Sequence, residues 1–167
     1  MDHEQDLSTP EEITYRWARR EEWKPAMALV WRTFLVSEGR TYSQEGVRHF
    51  FEFITDDDIY TAFLNGGYQM LLALCGGEMV GVGTLRSGNR LSLLFVEEGY
   101  QKRGIGRGLL DRLCAYLKNE AGESSITVTA APEAVNFYRK CGFLATSAEQ
   151  DHSGIRVVPM ERVFGKR

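Results

Sequence analysis

The sequence predicts a single mixed α/β domain, with a mostly antiparallel sheet of about six to seven strands and about four flanking helices. Three apolar runs, 68–75, 79–86 and 91–96, are separated by glycine-containing turns and predict an antiparallel meander. Apolar residues then recur at helical spacing over 105–117, which predicts an amphipathic helix. A further apolar run at 126–129 makes that helix a crossover between two strands that pair in parallel.

The segment before the meander predicts one strand followed by helices. Alternating β-forming residues predict a strand over 13–17. A helix ending near Gly39 is predicted from six apolar residues at helical spacing, Trp23, Met27, Val30, Trp31, Phe34 and Leu35. Ser43 is the expected N-cap of a second helix, which ends at the acidic run 56–58, and 59–64 is ambiguous, with a short helix as one interpretation. The residues expected to face inward on this second helix are Val47, Phe50, Phe51 and Ile54.

The C-terminal part predicts a short helix and a final strand. Pro132 suits the start of a helix, and Gly142 suits its C-terminal end. The last strand is predicted over 155–164. Because 167 residues are a length typical of one domain, the whole chain, 1–167, is assigned to it, with the polar residues 1–11 expected to be a flexible tail.

Composition argues against several classes of function. A net charge of −3 gives no global attraction for nucleic acid. No apolar run is long enough to span a membrane, and the N-terminus has no signal-peptide core. Cys75, Cys114 and Cys141 are widely spaced and odd in number, which predicts reduced, buried thiols in a cytoplasmic protein. The three histidines are scattered, and the Asp run at 56–58 is typical of a solvated turn, so no metal site is expected.

A basic, glycine-bearing loop between the strand at 91–96 and the next helix is the main candidate for a binding site. The first backbone N–H groups of a helix have no intrahelical partner and lie at the positive end of its dipole. Gly104 and Gly106 would let an anion approach the main chain. Three cations add charge there: Lys102, Arg103 and Arg107. The loop therefore predicts a phosphate-binding site, with an ordinary solvated helix start as the alternative.

Two nucleotide-binding motifs do not fit this loop. The chain contains no G-x-x-x-x-G-K-S/T string. The dinucleotide pattern G-x-G-x-x-G also fails, because Gly104 and Gly106 are followed by Gly108, one position too early. A site for ATP or NAD is therefore ranked below the interpretation that follows.

The loop resembles the acyl-CoA-binding segment of the GNAT superfamily of N-acetyltransferases. Its residues Gln101–Gly106 (QKRGIG) match the family pattern Q/R-x-x-G-x-G/A in full. A second string, Ala134–Phe143 (AVNFYRKCGF), resembles the family's helix and turn A-x-x-F/Y-Y-x-x-x-G-F, one strand after the first motif. The resemblance covers about residues 12–163 and has little detail before Tyr68.

The resemblance implies an enzyme that moves an acetyl group from acetyl-CoA directly to a primary amine, on a small molecule or a protein. In the family, the backbone equivalent to Phe95 and Val96 holds the pantetheine arm and the acetyl group, and the Val96 N–H would polarise the carbonyl. The equivalent of Tyr138 lies near the sulfur and often protonates the leaving thiolate, while simple packing of its ring is the alternative. The implied cofactor-binding residues are Phe95, Val96, Gln101, Lys102, Arg103, Gly104, Gly106 and Arg107.

Two details of the site stay open at this point. Many relatives have an Asn that contacts pantetheine where this chain has Thr129 and Ala131, and only Thr129 can hydrogen-bond. The general base is one of three carboxylates: Glu97 and Glu98 after the central strand, or Glu38 between the first two helices. Glu97 and Glu98 are nearest in sequence to the chemistry, and only one of them can face the cleft because adjacent strand residues point to opposite faces. Glu97 is preferred, and a solvated surface carboxylate is the alternative for each of the three.

A second hypothesis is a non-catalytic acyl-CoA-binding sensor or regulatory module, which would keep the loop and tolerate loss of Tyr138. Direct transfer needs no covalent enzyme intermediate, so Cys141 is expected to be structural. Relatives are often dimers, and a homodimer is therefore an expectation for this chain. The acceptor and the acyl chain length are not determined by these patterns.

Overall fold

The computed structural model describes residues 12–152 and 154–165, so the predicted tail at 1–11 lies outside the described residues. The strands are β1 (Ile13–Trp17), β2 (Tyr68–Cys75), β3 (Glu78–Arg86), β4 (Arg90–Val96), β5 (Ser125–Ala130), β6 (Leu144–Ala145), β7 (Gln150–His152) and β8 (Ile155–Val163). The α-helices are α1 (Trp23–Val36), α2 (Gln44–Ile54), α3 (Asp57–Leu64), α4 (Ile105–Asn119) and α5 (Val135–Lys140). Single turns of 3-10 helix occur at Arg20–Glu22, Glu38–Arg40, Glu98–Tyr100 and Pro132–Ala134.

The strands form one open sheet in the order β1-β2-β3-β4-β5-β8-β6, and β7 pairs with β8 outside that order. All paired strands are antiparallel except β4 and β5, which are parallel. The predicted meander and the mostly antiparallel sheet are therefore confirmed. The sheet has more strands than expected because β6 and β7 contain only two and three residues, too few to give an alternating pattern.

Helices cover both faces of the sheet. On one face, α4 buries Leu109, Leu113 and Leu117, each 0% exposed. On the other face, α1 buries Leu29 and Phe34, with α2 and α3 beside it. Each such side chain contributes about 1.5–3 kcal/mol when it is removed from water. These two apolar layers fix the position of β4, the strand from which the site is built.

Side-chain caps define where two of the helices begin. The Ser43 hydroxyl accepts a hydrogen bond from the Gly46 N–H at 3.0 Å, as expected for an N-cap. The ambiguous segment 59–64 belongs to α3, whose start is capped by Asp56, which accepts a hydrogen bond from the Asp58 N–H at 2.8 Å. The acidic run therefore begins α3 as well as following α2. None of the described helices is long and apolar enough to cross a membrane.

Two residues predicted to face the core are exposed, and one cysteine predicted to be buried is only partly buried. Leu35 is 44% exposed and Phe51 is 45% exposed, whereas Phe53 packs against the core of this face. Helical spacing in a run of apolar residues does not fix the rotation of the helix, which depends on what the helix packs against. Cys75 is only partly buried because it is the last residue of β2, beside the turn to β3, whereas the other two cysteines are buried.

Candidate active site

The parallel pair β4 and β5 separates along its length. The two strands pair only at Arg90–Thr127 and at Leu91–Val128. Beyond these positions β4 continues with β3 as its partner, and its other edge is open in the described part of the chain. Unpaired N–H and C=O groups on such an edge can bind an extended ligand in the way a further strand would bind.

One of two cavities on this edge follows the basic loop, and we name it the loop cleft. Its volume is about 430 Å³. The cleft lies between the end of β4, the first turn of α4, and the Phe137 ring of α5. Six of the residues predicted to bind the cofactor line it: Val96, Gln101, Lys102, Gly104, Gly106 and Arg107.

The loop leaves backbone N–H groups available at the start of α4. Gly104 has a φ of +82°, in the left-handed region that favours glycine. The first i to i−4 bond of the helix runs from the Gly108 N–H to the Gly104 carbonyl at 2.9 Å. The N–H groups of Ile105, Gly106 and Arg107 therefore precede the helical ladder and lie at the positive end of the helix dipole. This backbone suits a phosphate group.

The three cations of the loop are placed differently. Lys102 and Arg107 line the loop cleft. Arg107 also lies 3.9 Å from the Asp111 carboxylate, in an exposed pair that contributes about 0.3–0.5 kcal/mol and leaves the guanidinium able to turn toward a ligand. Arg103 lies outside the lining of the cleft and stacks on Tyr100, with 5.0 Å between its guanidinium carbon and the ring centroid.

The end of β4 directs one backbone N–H group into the opening. The Glu97 N–H donates to the Val80 carbonyl of β3 at 2.8 Å. Because successive residues of a strand bond to opposite sides, the N–H and C=O groups of Val96 point away from β3. The Val96 carbonyl accepts a hydrogen bond from Gln101 Nε2 at 2.9 Å, which ties the loop to the strand. The Val96 N–H faces the space that β5 has left.

The second cavity, which we name the lateral cavity, has a volume of about 310 Å³. Its floor is β4, and its walls come from α2, the end of β5 and the β7–β8 hairpin. Phe50 and Phe53 of α2 give one wall an apolar surface, and His152 lies on the hairpin side. Phe95, which the sequence placed with the cofactor, lines this cavity, as do Thr129 and Ala131.

A β-bulge interrupts the floor of the lateral cavity. Thr84 of β3 pairs with Leu93, but the next residue, Leu85, pairs with Leu91, so Ser92 has no residue opposite it on β3. The Ser92 hydroxyl accepts a hydrogen bond from the hydroxyl of Tyr68 at 3.1 Å. Bulges are common beside active sites because they turn side chains out of the regular alternation of a strand.

The loop cleft and the lateral cavity meet at a shared wall of four residues, Glu38, Leu94, Ala134 and Tyr138. We name this wall the junction. Two of its members, Glu38 and Tyr138, carry groups that can exchange protons. They lie far apart in sequence, Glu38 in the turn after α1 and Tyr138 in α5. Ligands in the two cavities would meet beside a carboxylate and a phenol.

Tyr138 lines both cavities at the junction. The residue is 7% exposed, and its ring packs edge-on against Phe137 and Phe143, with centroids 5.2 and 5.3 Å away. Its hydroxyl forms no hydrogen bond with any other residue that the structure describes. Burial, with the negative charge of Glu38, raises the pKa of Tyr138 well above its ordinary value. The phenol is therefore protonated at neutral pH and available as a donor.

Glu38 is partly buried and belongs to a small acidic group. Burial and the charge of Glu133 raise the pKa of Glu38 to about 7, and a hydrogen bond from the Tyr42 hydroxyl opposes the rise. The Thr41 hydroxyl donates to the Glu133 carboxylate at 3.3 Å, which holds that second acid close to the turn. A carboxyl group whose pKa is near 7 can accept and release a proton at neutral pH.

The structure places Glu97, the base preferred from sequence, outside both cavities. Arg32 of α1 holds its carboxylate through Nη2 at 2.7 Å and through Nε at 3.2 Å from both oxygens. The pair lies in a surface depression beside α1. Glu98 is exposed and lines neither cavity. Of the three candidate carboxylates, Glu38 is the one that lines both cavities, because the turn after α1 lies beside the turn that precedes α5, where Thr41 contacts Glu133.

Cys141 is buried behind α5, and burial raises the pKa of its thiol, as is common for a structural cysteine. Across the described residues, no group of three or more His, Cys, Asp or Glu side chains is close enough to hold a metal ion.

Several residues that line the two cavities or set the charge beside them were not predicted. Glu133 directly precedes the second motif, and its position beside a proline turn could have drawn attention to it. Arg86 and Arg90 flank the turn at 87–89, so a hairpin reading would have placed them opposite each other. Tyr42 gave no signal in the sequence, because its role depends on its contact with Glu38.

Comparison with known families identifies one match. The model of the Acetyltransferase (GNAT) domain matches residues 38–164, a span that contains both motifs and every residue of the junction. A search of curated protein sequences gives no significant match.

Solved structures share the fold of this chain. A GCN5-related N-acetyltransferase from Rhodopseudomonas palustris has a TM-score of 0.79 at 22% identity, over 93% of this chain and 98% of the other. The PaiA N-acetyltransferase from Thermoplasma acidophilum, solved with coenzyme A, has a TM-score of 0.75 at 17% identity, over 92% and 99%. A chimera of the Vibrio cholerae spermidine N-acetyltransferase SpeG and hSSAT has a TM-score of 0.67 at 16% identity, over 90% and 95%.

Proposed function

Because the chain belongs to the GNAT acetyltransferase family and is an acyltransferase that uses acetyl-CoA, we propose that it transfers the acetyl group directly to a primary amine bound in the lateral cavity. The observation that carries this proposal is the junction, where the loop cleft and the lateral cavity share Glu38 and Tyr138. A thioester reaching in from the loop cleft and an amine from the lateral cavity would meet beside a proton acceptor and a proton donor.

The loop cleft has the groups that acetyl-CoA would need. The N–H groups of Ile105, Gly106 and Arg107, with the ammonium of Lys102, would bind the pyrophosphate. A side chain at Gly104 would have no protein atom within 4 Å, so the space in front of this turn is open to a ligand. The open edge of β4 would pair with the amides of the pantetheine arm as an added strand does.

The Val96 N–H would stabilise the charge that develops on the thioester oxygen. It faces the opening of the sheet and belongs to a backbone held on its other side by β3. A donor fixed in this way needs no reorganisation during the reaction, and the loss of one such donor typically lowers kcat by about 10²–10³-fold. This assignment requires the acetyl carbonyl to lie at the end of β4.

In the proposed step, the amine nitrogen forms a bond to the acetyl carbon, and the carbon–sulfur bond breaks. Glu38 would take the proton that the amine loses, directly or through one water molecule. Tyr138 would give its proton to the thiolate of CoA, and its raised pKa keeps that proton in place until the thiolate forms. The acetyl group moves in one displacement, so Cys141 takes no part.

Binding is tested first by thermal unfolding with acetyl-CoA, ATP or NAD. Acetyl-CoA at about 100 times its Kd should raise the free energy of unfolding by roughly 2.7 kcal/mol and Tm by roughly 5–10 °C. Lys102→Gln should reduce this rise because it removes a positive charge from a residue that lines the cleft. Lys118→Gln is the matched control, since Lys118 lies in the last turn of α4, at the other end of the helix.

Transfer is tested by the release of CoA in the presence of a panel of primary amines, with the slow hydrolysis in their absence subtracted. Formation of the acetylated amine, seen by mass spectrometry in equal amount to the CoA released, would support the proposal. A protein that binds acetyl-CoA but acetylates no amine would contradict it and favour the sensor hypothesis.

A further inference from the structure

We propose that the amine acceptor carries an anionic group, a carboxylate or a phosphate, and that Arg86 and Arg90 bind this group at the far end of the lateral cavity. The inference rests on the proposed function, since it assigns the acceptor to the same cavity. It adds the chemical class of that acceptor, which neither sequence motif indicates.

The two arginines form a like-charged pair that lines the lateral cavity. Arg86 ends β3 and Arg90 begins β4, and the two residues are directly opposite in the antiparallel register. Side chains opposite each other in such a pair lie on the same face of the sheet, and like charges in this position destabilise the pair. Neither arginine forms an ion pair with a carboxylate among the described residues. Two uncompensated guanidinium groups side by side make a strong site for an oxyanion.

One of the two guanidinium groups is held in place by an aromatic ring. The guanidinium carbon of Arg86 lies 5.1 Å from the centroid of the Phe53 ring, which belongs to the α2 wall of the same cavity. A cation over a ring contributes about 0.5–1 kcal/mol at a partly exposed site. This contact leaves the edge of the guanidinium, with its N–H donors, free to bind an anion.

The arginines and the junction lie at opposite ends of the cavity floor. Arg90 is the first residue of β4, and Leu94, which belongs to the junction, follows four residues later. Four residues of extended strand span about 13 Å, and the bulge at Ser92 shortens this distance somewhat. If the acceptor's nitrogen lies beside Glu38, a group several bonds from that nitrogen would therefore lie near the two guanidinium groups.

The charge pattern along the cavity selects among acceptors. The acidic end, with Glu38 and Glu133, attracts the ammonium form of the amine. The basic end repels a second ammonium and attracts an anion. A diamine or polyamine would place its second cation against Arg86 and Arg90, whereas an amine with an anionic tail satisfies both ends. The natural class is therefore an aminocarboxylate or an amino phosphate with a chain between its two groups.

The test compares acceptors of one length that differ only at the tail. The set is 5-aminopentanoate, n-pentylamine and 1,5-diaminopentane, with 3-aminopropyl phosphate to separate phosphate from carboxylate, since its nitrogen and phosphorus are as many bonds apart as the nitrogen and carboxyl carbon of 5-aminopentanoate. The kcat/KM for 5-aminopentanoate should exceed the values for n-pentylamine and for the diamine by about 10-fold to 100-fold, the range expected for charge-assisted hydrogen bonds. Equal values, or preference for the diamine, would overturn the inference.

Variants assign the preference to the arginines. Arg90→Gln should reduce the ratio of kcat/KM between 5-aminopentanoate and n-pentylamine by about 10-fold, mainly through a higher KM for the carboxylate. Arg90→Glu should turn the preference toward the diamine, a gain that misfolding cannot imitate. Arg48→Gln is the matched control, because Arg48 lies on the exposed side of α2, paired with Glu52 at 3.7 Å and outside the cavity.

Failure of this inference differs from failure of the proposed function. If n-pentylamine and the diamine are acetylated and the tail makes no difference, the cavity binds amines and the arginine site is wrong. If acetyl-CoA binds and no acceptor in the set or in the wider amine panel is acetylated, direct amine transfer is wrong, and the inference falls with it. A preference for the anionic tail that Arg90→Glu does not change would also contradict the assignment to Arg90.

Discussion

Glu38 and Tyr138 line the wall where the two cavities meet, and burial, together with the Glu38 carboxylate, raises the pKa of the Tyr138 phenol there. The coupling suits one charge state, in which Glu38 is ionised and Tyr138 keeps its proton. Direct acetyl transfer needs this charge state, because the base must be free to accept a proton while the acid still carries the proton that it donates. Glu97 does not share this coupling, since Arg32 holds its carboxylate beside α1.

Replacing Tyr138 by Phe should remove the proton donor and preserve the packing. The ring lies against Phe137 and Phe143, and the hydroxyl bonds no other described residue, so Tm should change by less than about 2 °C. We expect kcat to fall by about 10²-fold or more, with little change in the KM for acetyl-CoA. Tyr60→Phe, which alters an exposed tyrosine packed on Trp23, is the control for the steady-state assay. An unchanged kcat in Tyr138→Phe would remove Tyr138 as the acid.

The pH dependence of kcat/KM should show the titration of Glu38. Because its pKa is about 7 and the ionised form is the base, the rate should rise with pH up to about 7 and then level. Glu38→Gln should remove this rise and lower kcat by about 10²-fold. Glu97→Gln should keep the rise and lower the free energy of unfolding by less than about 1 kcal/mol, the range for an exposed ion pair. The opposite result for the two variants would restore Glu97 as the base.

Glu38 should also make stability depend on pH. Its pKa is about 7 in the folded protein and near 4.5 in an unfolded chain, so the folded state binds more protons between these values. The contribution of the protonated group is fully present below about pH 4.5 and is lost as pH rises through 7. The free energy of unfolding, measured with urea, should fall between pH 5 and pH 8 by on the order of 1–2 kcal/mol more in wild type than in Glu38→Gln. If the free energies of unfolding of wild type and Glu38→Gln differ by the same amount at both pH values, Glu38 is not buried as described.

Two glycines of the loop should respond differently to alanine. Gly104 has a φ of +82°, so Gly104→Ala should strain the turn by about 1 kcal/mol and weaken acetyl-CoA binding. At Gly106 a Cβ would meet Phe137 Cζ at 3.6 Å, an ordinary contact, so Gly106→Ala should fold as wild type does and still bind acetyl-CoA. Calorimetric titration measures the affinity of each variant for acetyl-CoA. Weaker binding in Gly106→Ala than in Gly104→Ala would contradict the geometry of the loop.

Gly108→Ala should lower stability through a contact that no motif includes. A Cβ at this position would collide with the Tyr15 hydroxyl of β1, and the Tyr15 ring is held under the guanidinium of Arg112, 3.8 Å from its centroid. Overpacking of this kind typically lowers the free energy of unfolding by about 1–3 kcal/mol. Tyr15→Phe combined with Gly108→Ala should recover part of the loss, as measured by urea unfolding. If Gly108→Ala has the same free energy of unfolding as wild type, β1 and the Tyr15 side chain can move aside without cost.

The sequence predicted much of the fold and the loop because both are local. Apolar periodicity gave the meander and α4, and Gln101–Gly106 identified the turn whose N–H groups precede that helix. The pattern failed where a side chain's direction depends on its neighbours. Phe51 and Leu35 were assigned to the core because helical spacing does not define which edge of an apolar stripe is covered.

By itself, the sequence determined the chain's family, the identity of Tyr138 as a candidate acid, and the order of elements that builds a basic turn after a central strand. The tertiary structure alone decided that Glu38 faces the cleft and Glu97 does not. It also brought Arg86 and Arg90 to one end of a cavity and Glu38 to the other. The reason is physical: motifs record residues adjacent along the backbone, whereas the charge and pKa of a site arise from groups that only folding brings together.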